Sequence, residues 1–337
     1  MDINKIKSFS NRLLVEEALR RGIEVRHINE YQDEAAFLEM SCGKHFEYTI
    51  GTNLSKNTCT SLLATENKAL AKSLLSRSGV SVAEGRLFHK NNIDRIEAYV
   101  EKIKYPIVVK KYNGAHGDLV FTGINTREER DEAVKKILAG NDYVLVEKQC
   151  RGVECRIVAT RKKVLAAMMR DPANVVGDGA HNLRELIDIK NSDPRRGEGH
   201  DKSLTKIAIN DIVENYLKEQ KKSLDTVPAK GEKIYLRRNA NLSTGGDSLD
   251  ITDELHRDFK KIAVQAVRAI PGLVYAGVDL MAESGFFSKP KPGSYIVIEM
   301  NASPGIRAHH FPAQGKSRNV AGEIVDLLFP ETKSRKK

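Results

Sequence analysis

Two apolar segments of the chain carry oxygen-bearing side chains that could hold a metal ion. Asp279 lies within the segment GVDLM, and Glu299 and Asn301 occupy alternate positions in IVIEMNASPG. Alternation places Glu299 and Asn301 on one face of a strand, and a neighbouring strand could bring Asp279 beside them. Three oxygen donors of this kind suit Mg²⁺ together with phosphate oxygens. The alternative is a set of buried polar residues satisfied by other partners.

A lysine and a glycine-rich turn suggest a second piece of chemistry. Lys110 ends the apolar segment IVVK, and Gly114 and Gly117 follow it in the turn NGAHGD. Backbone amides of such a turn can approach a phosphate closely, and the lysine supplies a single cation beside it. His116 lies in the same turn, but no neighbouring acid orients it, so we assign it to the turn and not to a base. A plain hairpin would explain the turn almost as well.

Two acids flank the next glycine turn. Glu147 ends the apolar segment VLVEK, and Glu154 follows in RGVECR. These carboxylates could receive an adenine amino group and ribose hydroxyls. By itself the segment is also an ordinary hairpin with surface charges.

Alternating strands and helices are expected to position these residues. Helices are predicted over 11–23, from Asn67 to Leu75, over 127–138 and over 253–270, and strands over 105–112, 119–124, 143–148, 154–160 and 163–170. A glycine turn between two strands differs from the strand, turn, helix order of P-loop and Rossmann sites. Residues 174–235 are polar and are predicted to be long surface excursions. The fold class is therefore α/β.

Composition excludes several classes of protein. The chain has 337 residues, of which 40% are hydrophobic and 30% charged, as expected for a globular protein. No apolar run approaches the roughly 20 residues of a membrane helix, and the first residues lack the apolar centre of a secretory signal. We therefore expect a cytoplasmic protein with no membrane partner. The cysteines lack a CxxC pair, which favours four free buried thiols, at Cys42, Cys59, Cys150 and Cys155.

The net charge of +10 favours anionic partners without naming one. Basic residues concentrate only in the tail, at Lys333, Arg335, Lys336 and Lys337, and aromatic residues make up 6% of the chain. Because stacking platforms are scarce, a nucleic-acid-binding protein is a weak alternative and no nucleic acid is expected as partner. Phosphates of a small nucleotide would use the same positive potential.

Six segments in order resemble the ATP-grasp ligases, and most closely the ATP-grasp module of cyanophycin synthetases and bifunctional glutathione synthetases. The segments are YPIVVKKYNGAHGDLV, VLVEKQCRGVECRIVAT, NVVGDGAHNLRELIDIKN, YLRRNANLSTGGDSLDIT, YAGVDLM and VIEMNASPGIRAHHFP. The resemblance covers roughly residues 60–330. It implies an ATP-grasp fold of two α+β lobes over 66–330, preceded by a small α/β portion over 1–65 and followed by a basic tail over 331–337.

The resemblance also implies a role for individual residues. Lys110 corresponds to the strand-end lysine on the α-phosphate, and Lys68 corresponds to the earlier helix lysine of the nucleotide-binding site. Glu147 corresponds to the acid at the adenine and Glu154 to the acid at the ribose. Asp279, Glu299 and Asn301 correspond to ligands of Mg²⁺, which Mn²⁺ could replace.

One departure from related amino-acid ligases affects the predicted catalytic residues. Those ligases often carry an arginine two residues before the first metal ligand, where this chain has Gly277. The charge that stabilises the transferred phosphoryl group is therefore assigned to Arg237 or Arg238, although both could be surface residues. The turn after Asn301, with Ser303, Gly305 and Arg307, is expected to line the space for a carboxylate substrate.

The predicted enzyme is an ATP-dependent ligase that joins a carboxylate to an amine. ATP would convert the carboxylate to an acyl phosphate, and the amine of an amino acid or short peptide would then displace phosphate. A homodimer is expected from the resemblance alone. Alternatives are a ligase acting on an amino group of a protein or carrier and, less favoured, a small-molecule kinase or a nucleic-acid-binding protein.

Overall fold

The computed structural model describes residue 3 and residues 6–28, 36–113, 119–198 and 202–333. The chain folds into two compact units, each made of segments that are distant in sequence. The first unit comprises Met1–Ser55, Leu165–Asp253 and Gly305–Lys337, and the second comprises Lys56–Val164 and Glu254–Pro304. The domain boundary predicted near residue 65 stays a prediction.

Helices and strands alternate along most of the chain. The first part contains α1 (Phe9–Arg20), β1 (Glu24–His27), β2 (Phe37–Cys42), β3 (His45–Ile50), β4 (Asn53–Leu54), α2 (Cys59–Glu66), α3 (Lys68–Arg77), β5 (Gly85–His89), α4 (Arg95–Ile103), β6 (Ile107–Lys110), β7 (Val120–Ile124), α5 (Arg127–Leu138), β8 (Tyr143–Lys148) and β9 (Val153–Thr160). The second part contains β10 (Val164–Asp171), β11 (Asn174–Val176), α6 (Leu183–Asn191), β12 (Arg196–Gly197), β13 (Leu204–Thr205), α7 (Asp211–Glu219), β14 (Lys233–Tyr235), β15 (Asp247–Asp250), α8 (Arg257–Ala269), β16 (Tyr275–Ala282), β17 (Tyr295–Asn301), α9 (Arg307–His310) and α10 (Val320–Leu328).

The second unit is built on two sets of antiparallel strands. One sheet has the order β5-β8-β6-β7, and its buried valines and isoleucines form one core with α4 and α5. The other set pairs β16 with β9 on one side and with β17 on the other. Helix α5 begins where the sequence predicts, because Thr126 and Glu129 form a reciprocal capping box.

The first unit contains a separate antiparallel sheet in the order β1-β2-β3-β4. Helices α1 and α10 pack together in this unit, and Arg21, directly after α1, donates to Asp326 of α10 at 2.6 Å. Strand β10 pairs with β15 in the same unit. Helix α1 ends close to the predicted place, since Gly22 adopts a positive φ of 74° that favours glycine.

The prediction that residues 174–235 are surface excursions is wrong. Within this region α6 and α7 bury Leu183, Leu186 and Ile187 and also Val213 and Leu217 in one apolar cluster. Strands β11 and β14 pair beside them. The polar residues that suggested a loop lie on the outer faces of short amphipathic helices, so a region of high polarity still encloses its own core.

The cysteine prediction is correct in part. The four cysteines are free, but only Cys155 is buried, and Cys59 in the first turn of α2 is exposed. Cys42 and Cys150 are half-buried. Cys59 differs from the prediction because it lies on a short helix that buries a different face.

Across the part of the chain that the structure describes, no helix combines the length and the apolar character that crossing a bilayer requires.

The short helix α9 is joined to α10 through a neutral histidine. Nε2 of His310 accepts a hydrogen bond from the backbone N–H of Ala321, at 3.0 Å. Burial lowers the pKa of His310 to about 4, although the negative charge of Glu17 acts to raise it. The imidazole must stay unprotonated at Nε2 to accept this bond.

This arrangement predicts a loss of stability in mild acid. The pKa of His310 is about 4 in the folded chain and near the ordinary value of 6.5 when unfolded. Between those pH values the unfolded chain binds more protons than the folded chain. The stabilisation that neutral His310 contributes is therefore complete above pH 6.5 and disappears as the pH falls towards 4. We expect the free energy of unfolding to fall by about 1–2 kcal/mol more in the wild type than in His310→Gln between about pH 7.5 and about pH 5. Equal losses in both proteins would contradict this role of His310.

Candidate functional site

Helix α3 places two lysines on one buried face. Asn67 caps the helix by accepting from the N–H of Leu70 at 3.0 Å, and Lys68 and Lys72 follow one turn apart. Both lysines are 8% exposed. Because residues four apart on a helix lie above one another, the two ammonium groups project from the same side of α3.

Lys72 contributes to a buried group of three charges. The Glu147 carboxylate pairs with Lys72 through one oxygen and with Lys110 through the other, at 2.9 Å for Lys110. Lys110 and Glu147 are 5% and 4% exposed. Strands β6 and β8 are neighbours with Val108 opposite Glu147, which puts Lys110 and Glu147 on the same face.

The ionisation of this group follows from its surroundings. Burial would raise the pKa of Glu147, but Lys110 and Lys72 together lower it. Burial lowers the pKa of Lys72 to about 8, although Glu147 acts in the opposite direction. Gly85 on β5 lies opposite Glu147, and a Cβ there would come within 2.7 Å of Glu147 Cγ. A glycine therefore makes the space in which the carboxylate meets the lysines.

The residues predicted to bind metal lie side by side in the second unit. Asp279 of β16 is directly opposite Glu299 of β17, and Gly277 is opposite Asn301. Residues directly opposite on antiparallel strands project from the same face. Lys68 of α3 reaches this face, with Nζ 3.3 Å from an oxygen of Glu299. The predicted juxtaposition is thus present, and metal binding itself stays a prediction.

An arginine already holds one of these carboxylates. Arg156 on β9 lies opposite Asp279 and donates two hydrogen bonds to it, from Nε at 2.6 Å and from Nη2 at 2.5 Å. Burial would lower the pKa of Arg156, but the carboxylates of Asp279, Glu299 and Glu154 raise it. Arg156, Asp279 and Glu299 therefore form a row across three strands, with Lys68 at its end.

The surroundings of Gly277 explain why this position does not carry the arginine found in related amino-acid ligases. A Cβ at Gly277 would lie 2.8 Å from Cβ of Pro304, so a larger residue would displace the turn after β17. Asn301 accepts at Oδ1 from the N–H of Ser303, at 2.9 Å, which shapes the same turn. Arg156 approaches Asp279 from the neighbouring strand and brings a guanidinium to this face by another route.

The remaining predicted nucleotide contacts are placed only in part. Glu154 is half-buried in β9, two positions before Arg156 and on the same face. Gly114, His116 and Gly117 lie outside the described residues.

The two predicted catalytic arginines both belong to the first unit, and their surroundings differ. Arg238 is exposed, pairs with Glu219 and lies over the ring of Tyr216 at 5.2 Å. Arg237 is 7% exposed, and its Nη2 donates to Oδ1 of Asn210 at 3.3 Å. No carboxylate of the described residues pairs with Arg237, and burial lowers its pKa. Arg238 therefore has the environment of a surface residue, whereas Arg237 is a buried cation.

The predicted substrate residues follow β17. Ser303 is exposed and belongs to the second unit, whereas Gly305 and Arg307 belong to the first. Arg307 begins α9, and its Nη1 donates to the carbonyl oxygen of Lys202 at 2.6 Å. Their contact with a substrate stays a prediction.

A second charged group in the first unit is already paired. The buried carboxylate of Asp247 accepts from Lys190 at 2.6 Å and from Arg196. These residues line a cavity of about 540 Å³ beside α6. Because both cations pair with this buried carboxylate, the group is described as a structural element of this unit.

Sequence reasoning missed Lys72 and Arg156. A signal was available for each, since Lys72 is four residues after Lys68 and Arg156 is two residues after Glu154. Helical and strand periodicity place each of them beside a residue that was predicted. Without knowledge of their carboxylate partners, however, both look like ordinary surface cations.

The chemistry of the donor set bears on the predicted metal. Among the residues that the structure describes, no group of three or more histidines, cysteines, aspartates and glutamates could hold a metal ion. The predicted set has two carboxylates and one amide, so it suits a hard cation that takes its remaining ligands from phosphate and water. It does not suit a cation held by protein side chains alone.

The chain belongs to the RimK-like ATP-grasp family. Residues 65–184 and 223–328 match the RimK-like ATP-grasp domain. This confirms the predicted ATP-grasp fold and the resemblance to ATP-grasp ligases, which use ATP. The match omits residues 185–222, which include most of α6 and all of α7.

Particular relatives are similar over almost the whole chain. The glutathione biosynthesis bifunctional protein GshAB of Clostridium perfringens is 35% identical over 95% of this chain and 41% of its own length. Cyanophycin synthetase of Crocosphaera subtropica is 37% identical over 97% of this chain and 37% of its own length. This chain thus spans about two fifths of the length of these relatives.

Solved structures support the same fold. The crystal structure of a bifunctional glutathione synthetase from Pasteurella multocida has a TM-score of 0.77 and 33% identity, covering 97% of this chain and 45% of that one. A D-alanine–D-alanine ligase from Bacillus anthracis has a TM-score of 0.50 and 16% identity, covering 82% of this chain and 70% of that one, which indicates the fold alone.

The buried charges predict a specific stability effect. Glu147→Gln leaves Lys72 and Lys110 buried without their carboxylate, so we expect a loss of about 3–5 kcal/mol in the free energy of unfolding. Adding Lys72→Met to Glu147→Gln should recover part of that loss, because it removes one uncompensated cation. Denaturant unfolding measures both effects.

The matched control is Glu132→Gln, which removes an exposed carboxylate 2.6 Å from Lys136 on α5. It should change stability little, because exposed pairs are screened by solvent. A loss in Glu147→Gln no greater than in this control would show that the buried group is not ionised as described.

Proposed function

We propose that this protein is an ATP-dependent ligase that joins a carboxylate to an amine through an acyl phosphate, releasing ADP and phosphate. The observation that carries the proposal is the arrangement around α3. Lys72 of this helix pairs with Glu147, which also pairs with Lys110. Lys68 pairs with Glu299, which lies opposite Asp279. Membership of the RimK-like ATP-grasp family supports ATP as the nucleotide.

The second unit supplies the residues proposed to bind the nucleotide. Lys110 and Lys72 are proposed to neutralise phosphate charge. Glu147, which the resemblance assigns to the adenine, also holds both ammonium groups in place. Glu154 is proposed to accept from the ribose hydroxyls. Gly114, His116 and Gly117 are proposed to cover the phosphates.

Asp279, Glu299 and Asn301 would hold Mg²⁺ or Mn²⁺, which when bound supplies positive charge to the phosphates. Arg156 keeps Asp279 oriented through two hydrogen bonds, and Lys68 pairs with Glu299 at 3.3 Å. Because two cations already compensate the two carboxylates, the face remains stable before a metal arrives.

The proposed reaction has two steps. A carboxylate oxygen of the first substrate attacks the γ-phosphorus, the bond from that phosphorus to the bridging oxygen breaks, and ADP leaves. The amine of the second substrate then attacks the acyl carbon, phosphate leaves, and the amine loses a proton as the amide forms. Arg237 is the favoured cation for the transferred phosphoryl group, since it is buried without a carboxylate partner among the described residues.

The proposed substrates are an amino acid or short peptide with a free carboxylate, held near Ser303, Gly305 and Arg307, and an amine. Relatives named for glutathione biosynthesis and for cyanophycin synthesis support this class. A cytoplasmic location, a homodimer and the absence of nucleic-acid and membrane partners remain part of the proposal.

The reaction type is tested by pairing amino acids and short peptides as acids and amines, and by measuring ADP and phosphate with products identified by mass. Hydroxylamine should trap the acyl phosphate as a hydroxamate. AMP with pyrophosphate would indicate an adenylate instead, and a stable phosphorylated product would indicate a kinase. Either result would overturn the proposal. An amide formed only on a protein or carrier would show that the amine substrate is an amino group of that protein or carrier.

The metal face predicts a large effect on turnover. Glu299→Gln should lower kcat by about 100-fold or more with the fold retained, because it removes one proposed ligand and the partner of Lys68. Glu283→Gln is the control, since Glu283 is an exposed acid that follows β16. Near-normal turnover in a folded Glu299→Gln protein would remove this face from the active site.

The two arginines predict a contrast that separates their roles. Arg237→Lys should lower kcat by about 10-fold or more, since lysine keeps the charge but loses the planar group of donors. Arg238→Lys should change kcat little, because Arg238 is exposed and paired with Glu219. Thermal unfolding of both variants identifies any general loss of structure. Equal kinetic effects would contradict the assignment to Arg237.

A further inference from the structure

The start of α9 is capped by a residue almost three hundred positions away. Ile306, at the N-cap position, makes no side-chain hydrogen bond to the helix. Instead Oγ of Ser10 accepts from the N–H of Ile306 at 3.0 Å and from the N–H of Arg307 at 3.2 Å. First-turn N–H groups have no partner within their own helix, so Ser10 performs the role that a local cap usually has.

Further contacts within the first unit fix the same segment. The ring of Phe9 packs edge-on against Phe311, with 5.5 Å between centroids. On the α10 side, the carbonyl oxygen of His309 accepts from the N–H of Arg318 at 2.9 Å. Ile306 is fully buried. The backbone of Arg307 is therefore set between α1 and the residues that lead into α10.

We propose that Ser10 is a positioning residue for substrate binding, acting through Arg307. By accepting from the amide of Arg307 itself, Ser10 determines where the guanidinium can reach. The inference rests on the proposed function, in which Arg307 lies at the carboxylate substrate. It assigns the N-terminal helix a part in substrate recognition.

A neighbouring serine provides a matched control. Ser8 caps α1, and its hydroxyl accepts from the N–H of Asn11 at 3.4 Å. Ser8→Ala therefore removes a helix cap two residues away from Ser10 and leaves the contacts of Ser10 with α9 in place. Ser10→Thr keeps a hydroxyl and is the conservative variant.

The first measurement needs no substrate. Hydrogen exchange followed by mass spectrometry should show that peptides covering residues 304–311 exchange about 3- to 10-fold faster in Ser10→Ala than in the wild type. Ser8→Ala should leave these peptides unchanged, and Ser10→Thr should restore slow exchange. Unchanged exchange in Ser10→Ala would overturn the inference.

The second measurement separates positioning from general stability. With an acid identified by the hydroxamate reaction, Ser10→Ala should raise the KM for that acid by about 10-fold while the Kd for ATP stays unchanged. The effect should be absent in Ser8→Ala. In an Arg307→Ala background, Ser10→Ala should add little, because both changes remove the same contact.

The outcomes distinguish this inference from the proposed function. If Arg307→Ala raises KM but Ser10→Ala does not, the positioning role of Ser10 fails and the proposed function stands. If Arg307→Ala leaves KM unchanged while amide formation occurs, the substrate assignment of Arg307 and this inference both fail. If no acid forms a hydroxamate or an amide, the proposed function fails and the inference fails with it.

Discussion

The buried carboxylate of Glu147 is the constraint on which the second unit depends. Two buried ammonium groups lie beside it, and each would be costly there without an anion. Gly85 leaves the room in which Glu147 meets Lys72 and Lys110. The group keeps a net positive charge after pairing, which suits an anionic ligand better than a neutral core would. Stability and the proposed phosphate recognition therefore place the same demand on these residues.

Helix α3 connects this group to the face of β16 and β17. A spacing of four residues directs Lys72 to Glu147 and Lys68 to Glu299, so one short helix fixes two lysines against carboxylates from different strands. A shift of α3 would disturb both ends together. This coupling accounts for a sequence in which two lysines share the buried face of an amphipathic helix with Ala71 and Leu75.

Much of this arrangement could be predicted from periodicity. Alternation along the strands places Asp279 and Glu299 on neighbouring positions, and the capping residues give the start of α5. The pairing of Arg156 with Asp279 could not be predicted, because it requires the register between β9 and β16. The core of residues 174–235 was missed for a different reason, since α6 and α7 each bury only a few residues and a local pattern does not show that they bury them together.

The contrast between Gly277 and Arg156 shows how one charge can reach a site from different strands. A side chain at Gly277 would meet Pro304, so the tight turn after β17 excludes an arginine from that position. Position 156 lies on β9, on the other side of Asp279, and has no such constraint. A guanidinium thus reaches this face from β9, where it pairs with Asp279, while the charge proposed for the transferred phosphoryl group is that of Arg237. A comparison of position 277 alone with related ligases would report a lost cation. The register of the sheet shows that Arg156 donates to Asp279 from the neighbouring strand.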